Sequence, residues 1–584
     1  MNSKRTVVVR VGGEGGEGTI TLGELFTRIA AQAGLEVYSF RTYPAEIKGG
    51  QVMYQVRLGT ERVHSEGDEA DVLVAMNEKA WQECVSDLCR RSALIYESSL
   101  TALGEKHHGA SYPIPAEAIA KEIAWPMGKN FVLLGALLWF FKLGLERAES
   151  LVSRRMKRDL EKNLEALRRG YAYAQEHYPE DFPYTLPLPE TPEPRLILSG
   201  ADAMALGALA AGCQFYAGYP ITPATPIMEV LARYLPVFGG TLVQAEDEIA
   251  SLNMVLGAAF AGKRAMTATS GPGFSLMIES MGVASMAEIP IVIVDVQRAG
   301  PSTGLPTKTS QGDLFLALYG GHGDAPRFVL APDSVKDCYY QIINAFSLAE
   351  YFQMPVVVLT DQTLAARVET VPPPAGLWTA PLERLVPTLE ELSRGDYRRY
   401  RQTESGISPM AIPGQPGGMY VADSLEHDEY GHPNQQPENH EAMMAKRARK
   451  VETARKMLAD WKMTSRRWGD EGAEFGIIGW GSTRGAVREA MEMLRSQGYR
   501  IEAIYPHTLL PMPDAAIREF LQTKKRILVP ELNYSGQFGR MIEHRYYHEL
   551  MAQQARIYPL RKDQGIPFKI QEIYQAALHM IEED

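Results

Sequence analysis

Four stretches of this chain combine residue types that can do chemistry. The richest is QAEDEIASLNMVLGAAFAGKRAMTATSGPGFSLMIESMGVASMAEIPIVIVDVQ, Gln244 to Gln297. It puts an acidic cluster, Glu246, Asp247 and Glu248, at the head of a small-residue helix, with Gly257 nine residues after Glu248. A strand, the tight turn Ser270-Gly271-Pro272-Gly273, a second helix and a second strand follow. Glycines in such a turn let a ring or phosphate approach the backbone, and the next helix N-terminus exposes amides. A carboxyl buried at a helix head has a raised pKa and can hold or share a proton. An acid in this position also simply favours the helix dipole, by about 0.3–1 kcal/mol, and that reading suits Glu246 and Asp247.

The second stretch, GYPITPATP, Gly218 to Pro226, holds an extended loop with three prolines and leaves Thr222 and Thr225 projecting. The third, VQRAGPSTGLPTKTSQGDLFLALYGGHGD from Val296 to Asp324, is a glycine- and proline-rich loop after a strand, where active-site residues gather in open parallel sheets. Arg298 offers a planar fork for a carboxylate, and Lys308 and His322 are further candidates. The fourth, GEGGEG at Gly13 to Gly18, fits the dinucleotide fingerprint between strand and helix. No acidic residue ends the following strand, Val37 to Arg41, and Glu14 and Glu17 would repel phosphate, so a dinucleotide is not expected.

The elements that position these stretches divide a chain of 584 residues, too long for one core. Strands at Thr6 to Val11, Val37 to Phe40, Val72 to Ala75 and Ala93 to Glu97, with a helix at Thr19 to Ala33, predict an α/β sandwich over 1–178. Six prolines between Tyr178 and Pro194 predict a linker over 179–194. Short apolar strands spaced by helices predict a parallel, doubly covered sheet over 195–370. A connector over 371–474 leads to a third α/β unit, 475–584, opening on FGIIGWGS.

Composition narrows the function classes. A net charge of −11 opposes nucleic-acid binding. The most apolar run, Phe131 to Phe141, is too short for a bilayer and predicts a buried helix. No secretory h-region follows the N-terminus, so a cytoplasmic protein is expected. The four cysteines, Cys84, Cys89, Cys213 and Cys338, form no Cys-x-x-Cys pair. His427, His432 and His440 match no standard metal spacing, and no metal site is expected on this chain.

The acid-helix-glycine-turn stretch resembles the pyrimidine-binding domain of thiamine-diphosphate enzymes, and its spacing singles out Glu248. Thiamine's C2 proton is weakly acidic and is removed by the cofactor's own 4′-imino group; a carboxyl on ring N1′ stabilises that tautomer. With the Tyr-Pro-Ile-Thr-Pro loop, Tyr219 to Pro223, the resemblance sharpens to the 2-oxoacid:ferredoxin oxidoreductases. It implies that Glu248, Ser270 and Gly271 bind cofactor, that Tyr219, Pro220, Ile221 and Thr222 line the substrate pocket, and that Thr222 and Arg298 hold the oxoacid. Lys308 is the candidate for a second carboxylate, with His322 behind it.

The first unit, with RTYPAEIKGGQV at Arg41 to Val52, resembles the family's gamma domain, which implies a role near coenzyme A for Gly13, Gly15, Gly16 and Lys48. The last unit resembles the transketolase-type C-terminal domain. The family's Gly-Asp-Gly motif for magnesium and diphosphate and its cluster cysteines are absent, which implies a smaller beta subunit carrying Mg2+, the diphosphate site and a [4Fe-4S] cluster. The expected assembly is a dimer of heterodimers that decarboxylates a 2-oxoacid, preferably 2-oxoglutarate, with coenzyme A to acyl-CoA, CO2 and reduced ferredoxin. The alternatives are a pyruvate or branched-chain enzyme, a simpler thiamine lyase, and a nucleotide-binding scaffold.

Overall fold

Three sheets organise the described residues. The computed structural model describes residues 5–42, 50–100, 109–178, 182–374, 382–459 and 464–583. These fall into two compact units, the first built from residues 1–198, 366–373 and 569–571 and the second from the remainder.

The first unit holds a mixed eight-stranded sheet in the order Ser111–Ile114, Leu88–Glu97, Ala70–Ala75, Thr6–Glu14, Gln51–Gly59, Glu36–Thr42, Val368–Val371 and Leu196–Ser199. Thr6–Glu14 pairs parallel with Ala70–Ala75 and antiparallel with Gln51–Gly59. The α/β sandwich is as expected, although strand Gln51–Gly59 was not read from the sequence. The apolar run at 131–141 is the buried helix Lys129–Phe140, packed on Leu160–His177. Among the described residues, no helix is long and apolar enough to cross a membrane.

Two boundaries differ from expectation. The proline-rich segment at 179–194 is not a free tether, because Phe182, Tyr184 and Leu186 are buried in this unit's core. Prolines exclude helix and strand there but leave side chains free to pack. The interval 195–370 is likewise not one body, since Leu196–Ser199 and Val368–Val371 join the first unit's sheet. Val368–Val371 is fastened by Val37 N donating to Thr370 Oγ1 (3.1 Å) and Val368 N to Ser39 Oγ (3.1 Å).

The second unit carries a seven-stranded sheet in the order Thr508–Leu510, Phe328–Leu330, Pro355–Asp361, Ile291–Gln297, Ala265–Thr269, Phe215–Gly218 and Thr241–Gln244. All pairings among its last six strands are parallel, as the buried apolar strands predicted. The edge strand Thr508–Leu510 comes from the expected third domain and pairs antiparallel. The five-stranded sheet, Ser465–Gly469, Ile501–Pro506, Phe475–Ile478, Arg526–Glu531 and Arg556–Arg561, belongs to the same unit. One apolar core joins Phe274, Met277 and Leu314 to Trp480, Ile504 and Phe538.

Buried ion pairs fix this arrangement. His507 Nε2 lies 2.9 Å from Asp333 Oδ2 and 3.7 Å from Asp337 Oδ2, beside the added strand. Arg484 and Arg466 also reach Asp333, at 3.2 and 3.4 Å. Two guanidiniums satisfy the carboxylate that a metal would need, so the trio is an ion-pair cluster. In the expected connector, helix Pro437–Ala459 sends Lys446 and Lys450 to the buried Glu288, at 2.6 and 2.5 Å.

Candidate active site at the ends of the parallel strands

Helix Glu248–Phe260 begins where Asp247 caps it, accepting a bond from Ala250 N at 2.7 Å. That division of labour separates the three acids. Glu246 and Asp247 are exposed, whereas Glu248 is 6% exposed and turned inward. Its carboxylate rests on the turn beyond the next strand: a Cβ on Gly273 would overlap Glu248 Oε1 and Thr269 Oγ1. Strand Ala265–Thr269 thus delivers both the turn and a hydroxyl to the acid.

Helix Gly271–Met286 starts at this turn, with Ser270 as an N-cap whose side chain makes no capping bond. Ser270 Oγ and Thr267 Oγ1 are buried without a hydrogen-bond partner among the described residues. The unpaired Ser270 hydroxyl beside the buried Glu248 carboxylate leaves hydrogen-bonding capacity for a polar ring.

Arg298, 8% exposed, follows strand Ile291–Gln297 and donates from Nη1 to the Thr222 carbonyl at 2.7 Å. The substrate-loop candidates are therefore joined by their backbone and side chain, across a cis Thr222–Pro223 bond. Burial lowers the Arg298 pKa, while the Asp313 and then the Glu248 carboxylates act in the opposite direction. Arg298 Nε remains buried and unpartnered among the described residues. Thr222 and Tyr219 are exposed, and Pro220 and Ile221 are half-buried between them.

Residues 299–308 close on themselves, with Ala299 N donating to the Lys308 carbonyl at 3.0 Å and Leu305 N to the Ala299 carbonyl at 2.8 Å. Lys308 ends this turn, its stem packed on Gly565, and it makes no ion pair among the described residues. Gln311 docks the loop to the C-terminal sheet: its Nε2 donates to the Trp480 carbonyl (3.0 Å) and its Oε1 accepts from Leu532 N (3.0 Å). His322 is not part of this group. It lines a separate cavity of 310 Å3 with Glu279, Arg327, His440 and Arg447, which neither Glu248 nor Arg298 touches.

The sequence did not single out two acids that the structure adds. Asp295 is wholly buried, and burial followed by the Asp313 carboxyl raises its pKa well above the ordinary range. Burial lifts Asp313 to about 6, against the pull of Arg298. The signal for Asp295 was legible, since an aspartate inside the apolar strand IVIVDVQ demands a reason.

The glycine loop of the first unit is occupied by the chain itself. Glu17 Oε2 accepts from Glu14 N at 2.7 Å and Asn77 Nδ2 at 2.6 Å, and Lys129 lies 3.4 Å from its Oε1. Gly15 N is used by the Gly50 carbonyl, and a Cβ on Gly13 would meet Thr19 Oγ1 and Glu17 Oε2. Of the residues expected near coenzyme A, Gly13 therefore faces the Glu17 carboxylate and Gly15 the Gly50 carbonyl. Gly16, at φ +101°, is open on its Cβ side, and Lys48 lies outside the described residues.

Comparison with known proteins agrees with this geometry along the chain. Residues 206–446 match the family described as "Pyruvate flavodoxin/ferredoxin oxidoreductase, thiamine diP-bdg". Residues 8–173 match "Pyruvate ferredoxin/flavodoxin oxidoreductase", and 473–571 match "Pyruvate:ferredoxin oxidoreductase core domain II". The Mycobacterium tuberculosis 2-oxoglutarate oxidoreductase subunit KorA is 32% identical, covering 97% of this chain and 90% of that protein. The alpha subunit of Aeropyrum pernix 2-oxoacid:ferredoxin oxidoreductase 2 is 30% identical over 91% of this chain and 92% of its own. The structure is similar to the 2-oxoglutarate:ferredoxin oxidoreductase of Magnetococcus marinus, solved with 2-oxoglutarate, coenzyme A and succinyl-CoA bound. That likeness has a TM-score of 0.90, 42% identity, and covers 99% of this chain and 100% of that one. With the acid, the glycine turn and the arginine loop assembled at one end of a parallel sheet, the chain belongs to the thiamine-diphosphate-dependent 2-oxoacid:ferredoxin oxidoreductases, as one of their subunits.

Proposed function

We propose that this subunit takes part in the oxidative decarboxylation of 2-oxoglutarate with coenzyme A, passing electrons to ferredoxin. The observation that carries the reading is the pairing of Glu248, seated on Gly273, with Arg298, fixed to the Thr222 carbonyl. The substrate choice is supported by the 2-oxoglutarate enzymes among its relatives, including the Magnetococcus marinus protein with 2-oxoglutarate bound.

Thiamine diphosphate fits the residues present, because Ser270 Oγ is buried and unpaired among the described residues at the turn on which the buried Glu248 carboxylate rests. When bound, it supplies the nucleophilic carbon and the electron sink for decarboxylation. Glu248 would hold a proton toward the pyrimidine, and the Ser270–Gly273 turn would cradle that ring. Arg298 and Thr222 would fix the oxoacid carboxylate, so that the carboxyl to be lost is oriented before reaction. Lys308 is the cation in the same loop for the distal carboxylate of a dicarboxylic substrate. The chain shows no Gly-Asp-Gly motif and no cysteine cluster, which supports placing Mg2+, the diphosphate site and a [4Fe-4S] cluster on a smaller beta subunit, within a dimer of heterodimers. Coenzyme A enters as the acyl acceptor, with no contact assigned.

Purifying the chain with its beta subunit and measuring ferredoxin reduction over a panel of 2-oxoacids tests this. The expected result is a preference for 2-oxoglutarate that depends on coenzyme A, and a KM raised about tenfold or more in Arg298→Gln. A preference for pyruvate overturns the substrate, and an unchanged KM in Arg298→Gln overturns the role of that residue.

A further inference from the structure

A second buried cation lies at the other end of the parallel sheet. Arg327 immediately precedes strand Phe328–Leu330, which runs parallel to Pro355–Asp361 and through it to Ile291–Gln297. Phe328 is level with Val356 and Ile291 with Pro355, so Arg327 stands where the strands begin and Arg298 beyond where they end. At about 3.3 Å per residue, the two positions lie roughly 20 Å apart along the strands. Arg327 is 4% exposed, and its Nη1 is buried without a hydrogen-bond partner among the described residues. Its Nε donates to the Ala325 carbonyl at 3.2 Å. Burial lowers this guanidinium to about 10, and no carboxylate acts in the opposite direction.

The side chain lines the 310 Å3 cavity that also receives His322. Helix Gly271–Met286 contributes Gly282 and Ser285 to the lining, and helix Pro437–Ala459 contributes His440 and Arg447. The charge of Arg447 is already answered: Nη1 and Nη2 donate to Glu426 at 3.0 and 2.7 Å, and His440 Nδ1 lies 2.6 Å from the same carboxylate. Glu279 and Asp324 line the cavity too, but both are exposed and neither pairs with Arg327 among the described residues. The surrounding loop holds Arg327 in place. Ser285 Oγ donates to the Pro326 carbonyl at 2.8 Å, and Gly321, at φ +115°, leaves bare backbone beside Nη2, which would stand 3.6 Å from a Cβ there. A charge withdrawn from water without a counter-charge is costly, and a bound anion relieves that cost.

We propose that this cavity binds a small oxyanion, a phosphate or a carboxylate, whose charge pairs with Arg327. Its volume of 310 Å3 is at the lower end for small-molecule sites, which suits a free ion or a short organic acid better than a nucleotide. Guanidinium N–H groups make charge-assisted bonds to either oxyanion. His322 adds a ring nitrogen to the lining, a place for a loop histidine that the oxoacid site does not use. The chain's net charge of −11 gives anions no general attraction, so any binding must come from this local cation.

The test is made on the assembled enzyme loaded with thiamine diphosphate, by calorimetric titration with inorganic phosphate and, separately, with acetate. The wild type should bind at least one of them with a Kd of about 1 mM or tighter, and the preferred probe identifies the anion as phosphate or carboxylate. Arg327→Met keeps the length and removes a charge that no carboxylate offsets, so it should fold, and it should weaken binding about tenfold or more. Gly282→Leu should weaken binding as much by filling the cavity: a Cβ there meets nothing within 4 Å, and the helix interior favours the change. Arg298→Gln should leave this binding unchanged, because Arg298 lies at the far end of the strands. No binding by the wild type up to about 10 mM, as when a partner's carboxylate fills the cavity, overturns the proposal. Binding that survives Arg327→Met overturns it too, and should that variant not fold, binding that survives Gly282→Leu does so. Loss of binding in Arg298→Gln would place the anion at the oxoacid clamp and equally overturn the second site.

Discussion

Glu248 and Gly273 claim the same space: the carboxylate of one fills the position where a side chain on the other would project, with Thr269 Oγ1 closing it from the strand. Gly273 lies in the first turn of helix Gly271–Met286, where alanine favours the helix by about 1 kcal/mol over glycine. Gly273→Ala should therefore fold normally by circular dichroism yet displace Glu248. Thiamine diphosphate affinity, measured by calorimetry on the assembled enzyme, should fall at least about tenfold, since sub-ångström misplacement at a site is costly. Unchanged affinity would show that Glu248 and the turn are not a cofactor seat.

Removing the carboxyl itself should be more severe. Glu248→Gln should leave folding intact and lower ferredoxin reduction by about 100-fold or more, the scale of a lost acid–base group. Glu246→Gln should have little effect, because that side chain is exposed and turned away. Near-normal turnover in Glu248→Gln, or equal losses in both variants, would reassign the acid.

Substrate choice can be read at Lys308, whose stem packs on Gly565 and whose ammonium makes no ion pair among the described residues. Lys308→Met keeps the length and removes the charge. Loss of a charged hydrogen bond costs about 1.5–3 kcal/mol, so kcat/KM for 2-oxoglutarate should drop roughly tenfold to a hundredfold. Pyruvate, without a distal carboxylate, should be unaffected; an equal loss on both substrates would give Lys308 a structural role.

The buried cluster on helix Pro437–Ala459 predicts a pH dependence of stability. Two lysines and Arg399 surround Glu288, and burial is the largest influence on Lys450, pushing it down to about 7 despite Glu288. A lysine with a folded pKa below its unfolded value is a group that the unfolded chain protonates more readily, so stability rises with pH between about 7 and 10. Lys450→Met should flatten that rise, and its melting temperature relative to wild type should decline as pH increases over this range. Parallel curves for the two proteins would show that Lys450 stays charged in the fold.

Much of the site was legible because its parts are local. Glu248, the Ser270–Gly273 turn and the Tyr219–Pro223 loop each sit at a strand–helix junction whose residue types declare the backbone they need. What escaped depends on distant partners. Nothing near Asp313 in sequence says that it will rest on Gly271, and nothing near Thr508 says that its strand will pair with Phe328–Leu330. His322, by contrast, lay in an informative loop and went elsewhere, because the loop runs past the site into a different cavity. The glycine loop was legible in part: its spacing is that of an anion cradle, and Glu17, which argued against a phosphate, places its own carboxylate on the Glu14 amide.

The first unit's sheet has an implication for how the chain is made. Its order places Val368–Val371 between Glu36–Thr42 and Leu196–Ser199, so the seventh strand in space is supplied nearly 170 residues after the eighth. Until that segment leaves the ribosome, Glu36–Thr42 has a bare edge, an invitation to pair with another nascent chain. A fragment ending at residue 198 would carry the same open edge, and the unit should be expressed with its returning strand spliced on rather than cut where the first continuous stretch stops.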